Sequence, residues 1–283
     1  MSSTKLDQIL RQVRSFPTMP KAGASMLALL ENPDTTVTEI ENVVRHDPGL
    51  TGNILKLANS AYFGMPTKVS SVRQAVILLG MKRLVQLVIA SCVSAVMDVS
   101  VPGYQLPPGN LWRHSIAVSI AAEELARDSA KAVAEDVFTP ALLHDIGKLI
   151  LGHFVISELE TIEHIADKGI PHVVAENMVF GIDHAELGAK ILEQWAFPPQ
   201  VVKAVKWHHD PDGVDSIDSQ IDIVYLANLL CQTNGSGGED EGHAIELSPA
   251  VMERSGIKFG QFEEISQNVA RWVDELSAVL SLH

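Results

Sequence analysis

Apolar residues recur along this chain at spacings of three and four, with polar residues between them. That period is the mark of amphipathic helices, one face turned to a core. It predicts helices near 20–31, 37–46, 48–60, 72–79, 81–97, 110–129, 135–150, 153–168, 171–179, 184–196, 199–209, 217–233 and 261–280. Start signals agree with several of these. Thr36 with Glu39 forms a capping box before "VTEIENVVRH", and Asp47 precedes a proline at the first helical position. Ser71 with Gln74 and Asp183 with Glu186 open two more helices. No segment needs a strand, so the expected fold is all-α.

Two stretches interrupt the pattern. "VPGYQLPPGN" (101–110) is rich in Pro and Gly, and "TNGSGGEDEG" (233–242) reads as a flexible acidic linker. They divide the chain into an N-terminal helical part at 16–100, a second helical part at 110–232 and a tail at 233–283. The tail carries one apolar stripe: Phe262, Ile265, Val269, Trp272, Val273, Leu276 and Leu280. Docking on the parent domain is preferred for it over a dimer or partner interface.

Composition narrows the class. Of 283 residues, 46% are hydrophobic and 20% charged, which fits a globular chain. The net charge of −14 and the lack of a basic stripe argue against nucleic acid as a bulk partner. Cys92 and Cys231 both fall in apolar helical stretches, which suggests reduced core thiols and a cytoplasmic location. The N-terminus lacks a secretory apolar region. The longest apolar run, 84–101, is broken by Gln86, serines and Asp98, so a buried helix is expected there and not a membrane span.

The candidate chemistry lies in the histidines, eleven in all. His114 shares a helical face with Ala117, Val118, Ala121 and Leu125. His144 looks back over Ala141, Pro140 and Val137, and Asp145 over Leu142, Ala141 and Phe138. His208 lies over Val205, Ala204 and Val201; His209 follows Val205 and Val202; His184 starts a helix directly after its cap. A buried carboxylate without a partner costs several kcal/mol, so Asp145 must be satisfied. A divalent cation completed by imidazoles would do so, and so would a metal-free network of His-Asp hydrogen bonds. His46, His153, His164, His172, His243 and His283 show no such convergence.

The segments "RHSIAV", "LLHDIGKLIL", "GIDHAELGAKILEQWAFP" and "WHHDP", in this order, resemble the HDOD family, relatives of the HD-type metal-dependent phosphohydrolases. "FPTMPKAGASMLALLENPDTTVTEIENVVRHDPGLTGNILKLANSAYFG" and "VSSVRQAVILLGMKRLVQLVIAS" are similar to its N-terminal helical subdomain, and the resemblance spans roughly residues 16–232. It implies an HD-like helical core beside that subdomain, and a bacterial signalling or regulatory role without established catalysis. The alternative it offers is a metal-dependent phosphohydrolase, either phosphodiesterase or phosphatase. Carried over, His114 matches the first ligand, His144 and Asp145 the signature pair, His184 the middle histidine, and His208 and His209 the late pair. Asn228 stands where the family relatives place a late aspartate, and Asp222 lies about 240° away around the same helix.

A histidine-rich set favours Fe, Zn, Ni or Mn over magnesium, as one or two ions. In the catalytic reading Asp145 and Lys148 are the candidate catalytic residues, Lys148 as a phosphate contact. The other reading of Lys148 is a cation at a helix C-terminus. The Gly-Tyr-Pro signature of cyclic dinucleotide phosphodiesterases does not follow the His-Asp pair. Gly103-Tyr104 lies upstream and is followed by Gln105. The implied partners are a signalling protein or a small phosphate-containing ligand, with no membrane association. A homo-oligomer is left open.

Overall fold

The computed structural model describes residues 4–30, 32, 34–129, 137–233 and 247–280. These are helical throughout apart from turns and one isolated β-bridge, Val101 with Leu106. In chain order the helices begin with α1 (Lys5–Ser15), α2 (Lys21–Leu30), α3 (Val37–Arg45), α4 (Pro48–Ala58), α5 (Val72–Leu79) and α6 (Met81–Met97). There follow α7 (Asn110–Asp128), α8 (Phe138–Leu143), α9 (Lys148–Val155), α10 (Leu159–Ala166) and α11 (His172–Phe180). The last are α12 (His184–Gln194), α13 (Pro199–Trp207), α14 (Ser219–Thr233), α15 (Pro249–Ser255) and α16 (Phe259–Leu280).

The chain forms two units, one of residues 18–97 and 271–283, the other of residues 1–17 and 98–270. In the smaller unit, α2 to α6 bury a core that includes Met26, Ile40, Ile54, Leu57, Leu84, Val88 and Val93. Its helix starts are those the sequence announces. The Thr36 hydroxyl accepts from the Glu39 N–H, and the Glu39 carboxylate accepts from the Thr36 N–H at 2.8 Å. Asp47 Oδ1 accepts from the Leu50 N–H at 2.9 Å, and Ser71 Oγ from the Gln74 N–H at 3.1 Å. Asn59 ties the loop before α5 through two bonds to the Val69 backbone, at 2.7 and 2.8 Å.

The larger unit is built on α7 and α14, flanked by α8, α9, α12 and α13. Its core holds Leu111, Ile116, Ile120, Leu142, Ile146, Leu187, Val205, Val224 and Leu226. Cys231 on α14 and Cys92 on α6 are both free and buried. Burial pushes the Cys92 thiol up to about 11 and that of Cys231 higher still. On α16, Ile265, Val269 and Val273 are buried, and Trp272 lies edge-on to Tyr62 at 5.7 Å. No described helix is long and apolar enough to cross a membrane. The acidic linker at 234–242, His243 and His283 lie outside the described residues.

Three parts of the helical expectation need correction. Of the expected 135–150 helix, residues 135 and 136 lie outside the described residues and the rest falls in two elements, α8 and α9, separated by a turn at residues 144–147. The 153–168 helix is the end of α9, a 3-10 turn at Ile156–Glu158, and α10. Two helices were not anticipated. In α1 a Thr4–Asp7 capping box starts a short helix that buries only Ile9 and Val13, too few positions for a clear period. In α15, Ser248 caps seven residues that follow the acidic stretch.

The second of these carries a largely buried ion pair. Asp222, buried on α14, accepts from Arg254 Nε at 2.7 Å and from Arg254 Nη2 at 2.6 Å, and Arg254 also meets Asp212. Removing one partner of a buried pair leaves the other desolvated. Arg254→Met is therefore expected to cost about 3–5 kcal/mol of stability, seen as a lower urea midpoint. An unchanged midpoint would contradict this role for the pair.

Candidate metal centre

The break between α8 and α9 makes the centre. A straight helix through 138–155 would place His144 and Asp145 about 100° apart around its axis. The turn instead aims both at the same interior point, facing α7, α12 and α13. It needs a glycine at its end. A Cβ on Gly147 would lie 1.9 Å from the His184 carbonyl oxygen and 2.6 Å from the Gly188 nitrogen. Only a bare Cα lets the turn press against the first turn of α12, where His184 sits.

The carboxylate of Asp145, 1% exposed, is the hub. Its Oδ2 lies 3.1 Å from His144 Nε2, 3.6 Å from His114 Nε2 and 2.9 Å from Lys148 Nζ. Its Oδ1 lies 3.3 Å from His184 Nε2 and 3.7 Å from His208 Nε2. His209 Nε2 approaches His184 Nε2 to 2.9 Å. The six residues singled out in the sequence therefore come together, with Asn228 on the rim, its Oδ1 3.0 Å from His114 Nε2. His46, His153 and His164 lie elsewhere on exposed surface.

Three of the imidazoles are oriented as ligands are. His144 Nδ1–H donates to the Ala141 carbonyl and His208 Nδ1–H to the Val205 carbonyl, each at 2.7 Å. His184 Nδ1–H donates to Glu176 Oε2, also at 2.7 Å. With Nδ1 committed in each ring, the Nε2 atoms turn inward, the arrangement that metal-binding histidines use.

Charge follows from this packing. Burial alone would raise the Asp145 carboxyl, but His144 and Lys148 outweigh it and hold the group well below the usual carboxylate range. Burial would lower His184 too, yet Glu176 and Asp145 hold it well above the ordinary imidazole value. His208 is pushed well below that value by burial and by the neighbouring His144, so its Nε2 offers a lone pair.

This donor set fits a cation. His144 Nε2, His208 Nε2 and both Asp145 oxygens are buried without a hydrogen bond of acceptable geometry. Buried polar atoms in that state are uncommon in proteins. Two Nε2 atoms at 2.9 Å cannot both present lone pairs to each other; a proton or a cation must lie between them. Ligand atoms of Asp145, His184, His208 and His209 lie within 4.8 Å of one another, as do those of His114, His144 and Asp145. This is close to the spread of ligands held at about 2.1 Å from a shared ion. The cluster can therefore hold a metal, with Asp145 common to two adjacent positions.

His209 is the least buried of the set. It lines a cleft of about 680 Å³ with Pro171, Val174, Met178, Lys206 and Trp207. His172 lies on the same wall.

Two neighbours were not visible in the sequence. Glu176 sits mid-helix in α11 with no motif around it, and it is eight residues from the histidine it holds. Tyr104 lies in the Pro-Gly segment before α7, forty residues from the His-Asp pair, and its ring meets His184 edge-on at 6.2 Å. Lys148 is also corrected. It is 1% exposed at the first residue of α9, so it is no C-terminal cation; its Nζ pairs with Asp145. Glu186 lines the cleft with His209 but is not among the clustered ligands; its backbone N–H donates to Asp183 and its carboxylate pairs with Lys190.

Comparison with known proteins agrees with this geometry. The HDOD domain family model matches residues 16–211. A crystal structure from Shewanella amazonensis SB2B, of a protein provisionally named a phosphohydrolase, superposes with a TM-score of 0.74 at 27% identity; the match covers 96% of this chain and 98% of that one. An HDOD domain protein of unknown function from Geobacter sulfurreducens has the same fold, with a TM-score of 0.74, 24% identity and coverage of 96% and 99%. An uncharacterized protein of Treponema pallidum (strain Nichols) is 26% identical over 231 residues; the match takes in 80% of this chain and 44% of that protein, so the chain spans less than half its length.

Two outcomes follow. Gly147→Ala forces a methyl into backbone, and overpacking of this kind costs about 1–3 kcal/mol or more. The variant should lose stability and metal uptake together, and normal zinc binding by a stable Gly147→Ala protein would contradict the close approach. Because His184 is held protonated above its ordinary range, a metal must displace its proton. Zinc titration at pH 7 in buffers of different ionisation enthalpy should reveal proton release, and affinity should rise with pH until His184 has titrated. Binding without proton release would contradict the assignment.

Proposed function

Because the chain belongs to the HDOD domain family, we propose that it is a signalling protein whose HD-type pocket holds one transition metal ion and binds a small phosphate-containing ligand without efficient turnover. The observation that carries this is the Asn228–His114 contact. The position of a second anionic ligand is taken by a neutral amide, whose oxygen engages the Nε2 of the first ligand histidine at 3.0 Å.

His184, His208, His209 and Asp145 would hold the ion, and iron, zinc, nickel or manganese suits this nitrogen-rich set. When bound, such an ion supplies Lewis-acid polarisation of a phosphoryl oxygen. The second position, His114, His144 and Asp145, has only the shared carboxylate to offset another double charge. Lys148 further neutralises that carboxylate from 2.9 Å. A ligand would enter by the cleft at His209 and lay its apolar part against Val174, Met178 and Trp207. Its readout would be a changed affinity for a protein partner.

The second reading is a metal-dependent phosphohydrolase acting on a phosphoester. It is favoured by the complete His114, His144, Asp145, His184, His208 and His209 set and by the 27% identical Shewanella protein. Asp145 and Lys148 would then face the reacting phosphate.

One experiment separates the two. The full chain is supplied in turn with iron, manganese and zinc and offered bis(p-nitrophenyl) phosphate and p-nitrophenyl phosphate. The regulatory reading expects no multiple turnover, and expects Asn228→Asp to tighten a second metal equivalent by about tenfold or more. Sustained hydrolysis by the wild type, abolished in Asp145→Ala, would establish the catalytic reading instead.

A further inference from the structure

The segment that leaves α6 and enters α7 is held more firmly than its Pro-Gly composition suggests. Val101 and Leu106 exchange two backbone bonds, Val101 N–H to the Leu106 oxygen at 2.9 Å and Leu106 N–H to the Val101 oxygen at 3.2 Å. Between them Pro102–Tyr104 forms a 3-10 turn, closed by Gln105 in the left-handed region at φ 55°. A side chain other than glycine's is strained there, so the surrounding packing must impose it. The packing is evident at Gly103, where a Cβ would lie 2.2 Å from the Gly152 oxygen of α9.

The clamp fixes Tyr104. Its hydroxyl donates to Glu176 Oε1 at 2.8 Å. Glu176, 1% exposed, uses its other oxygen for both N–H groups of His184, the backbone at 2.9 Å and Nδ1 at 2.7 Å. Lys148 Nζ lies 5.3 Å from the centre of the Tyr104 ring, within cation–π range. Every acceptor oxygen of Glu176 is thus committed, one to the connecting segment and one to His184. A buried carboxylate in mid-helix is costly unless it has such a task.

We infer that Tyr104 and Glu176 are positioning residues, a brace through which the connection between α6 and α7 sets the orientation of His184 at the metal centre. Displacing the 101–106 turn would withdraw the Tyr104 hydroxyl, free Glu176 to rotate and loosen His184, lowering metal affinity without touching a ligand. The brace gives a signal carried along that connection a direct route to the pocket. Its consequence for metal binding rests on the metal reading above, whereas the hydrogen-bond chain itself does not.

The test uses the full chain as wild type, Tyr104→Phe, Glu176→Ala, Glu176→Gln and the double variant Tyr104→Phe/Glu176→Ala. Zinc affinity is read by competition with a chromophoric chelator. Glu176→Ala should weaken binding about 10–100-fold, the usual effect of losing a residue that orients a metal ligand. Glu176→Gln, which can still accept from His184, should recover most of the loss. Tyr104→Phe should weaken binding by a smaller factor and add nothing in the Glu176→Ala background. In parallel, NMR of ¹⁵N-histidine protein without metal should show a downfield, slowly exchanging His184 Nδ1–H. It should be lost in Glu176→Ala and exchange faster in Tyr104→Phe. Full additivity of the two substitutions, or an unchanged ring N–H in both variants, would overturn the brace. Should the protein take up no zinc, the ring N–H alone decides, so failure of the metal reading and failure of the brace are distinguishable.

Discussion

A carboxylate at the centre of an apolar helical unit is the constraint on which the larger unit is arranged. Asp145 is desolvated, and four imidazole nitrogens and an ammonium lie within 3.7 Å of its oxygens. To bring them there, the chain breaks a helix, gives up the side chain at Gly147, and buries Lys148. Three of the histidines are then held from behind: His144 and His208 by carbonyls one turn earlier in their own helices, His184 by the carboxylate of Glu176. Such backing lowers the freedom lost when an ion is bound, and keeps each Nε2 facing inward before one arrives.

Much of this was legible in sequence because it is local. Caps at Thr36, Asp47, Ser71 and Asp183 announce themselves within four residues. The inward faces of His114, His144, His208 and His209 follow from helical spacing, and His184 is placed by the Asp183 cap before it. What escaped were features without a local signal. The break at residues 144–147 is set by the approach of α12, which spacing cannot show, and treating 135–150 as one helix misplaced Lys148 at its end. Glu176 and Arg254 carry no motif that marks them. Each is instead fixed by a partner on another helix, His184 and Asp222. Gly103-Tyr104 is no Gly-Tyr-Pro signature, yet Tyr104 reaches the site, because distance along the chain is no guide to distance in a folded core.

The proposed contrast with the phosphohydrolases rests on one amide. Asparagine keeps the shape of aspartate but not its charge, and here its oxygen serves His114. A site with one carboxylate, already neighboured by an ammonium, is well suited to one divalent ion and poorly suited to two. Two-ion phosphoryl chemistry clamps both the attacking and leaving oxygens. On the proposed reading, a one-ion pocket beside a cleft holds an anionic ligand without turning it over.

The central claim is that this cluster is built to hold a single metal ion. Elemental analysis of the full chain, purified without chelators and without added metal, tests it most directly when paired with the Asp145→Ala variant. The account predicts close to one equivalent of iron, zinc, nickel or manganese per wild-type chain and close to none in the variant. A wild-type protein that carries no transition metal and takes up none on incubation with these ions would contradict it, and would leave the cluster a hydrogen-bonded core.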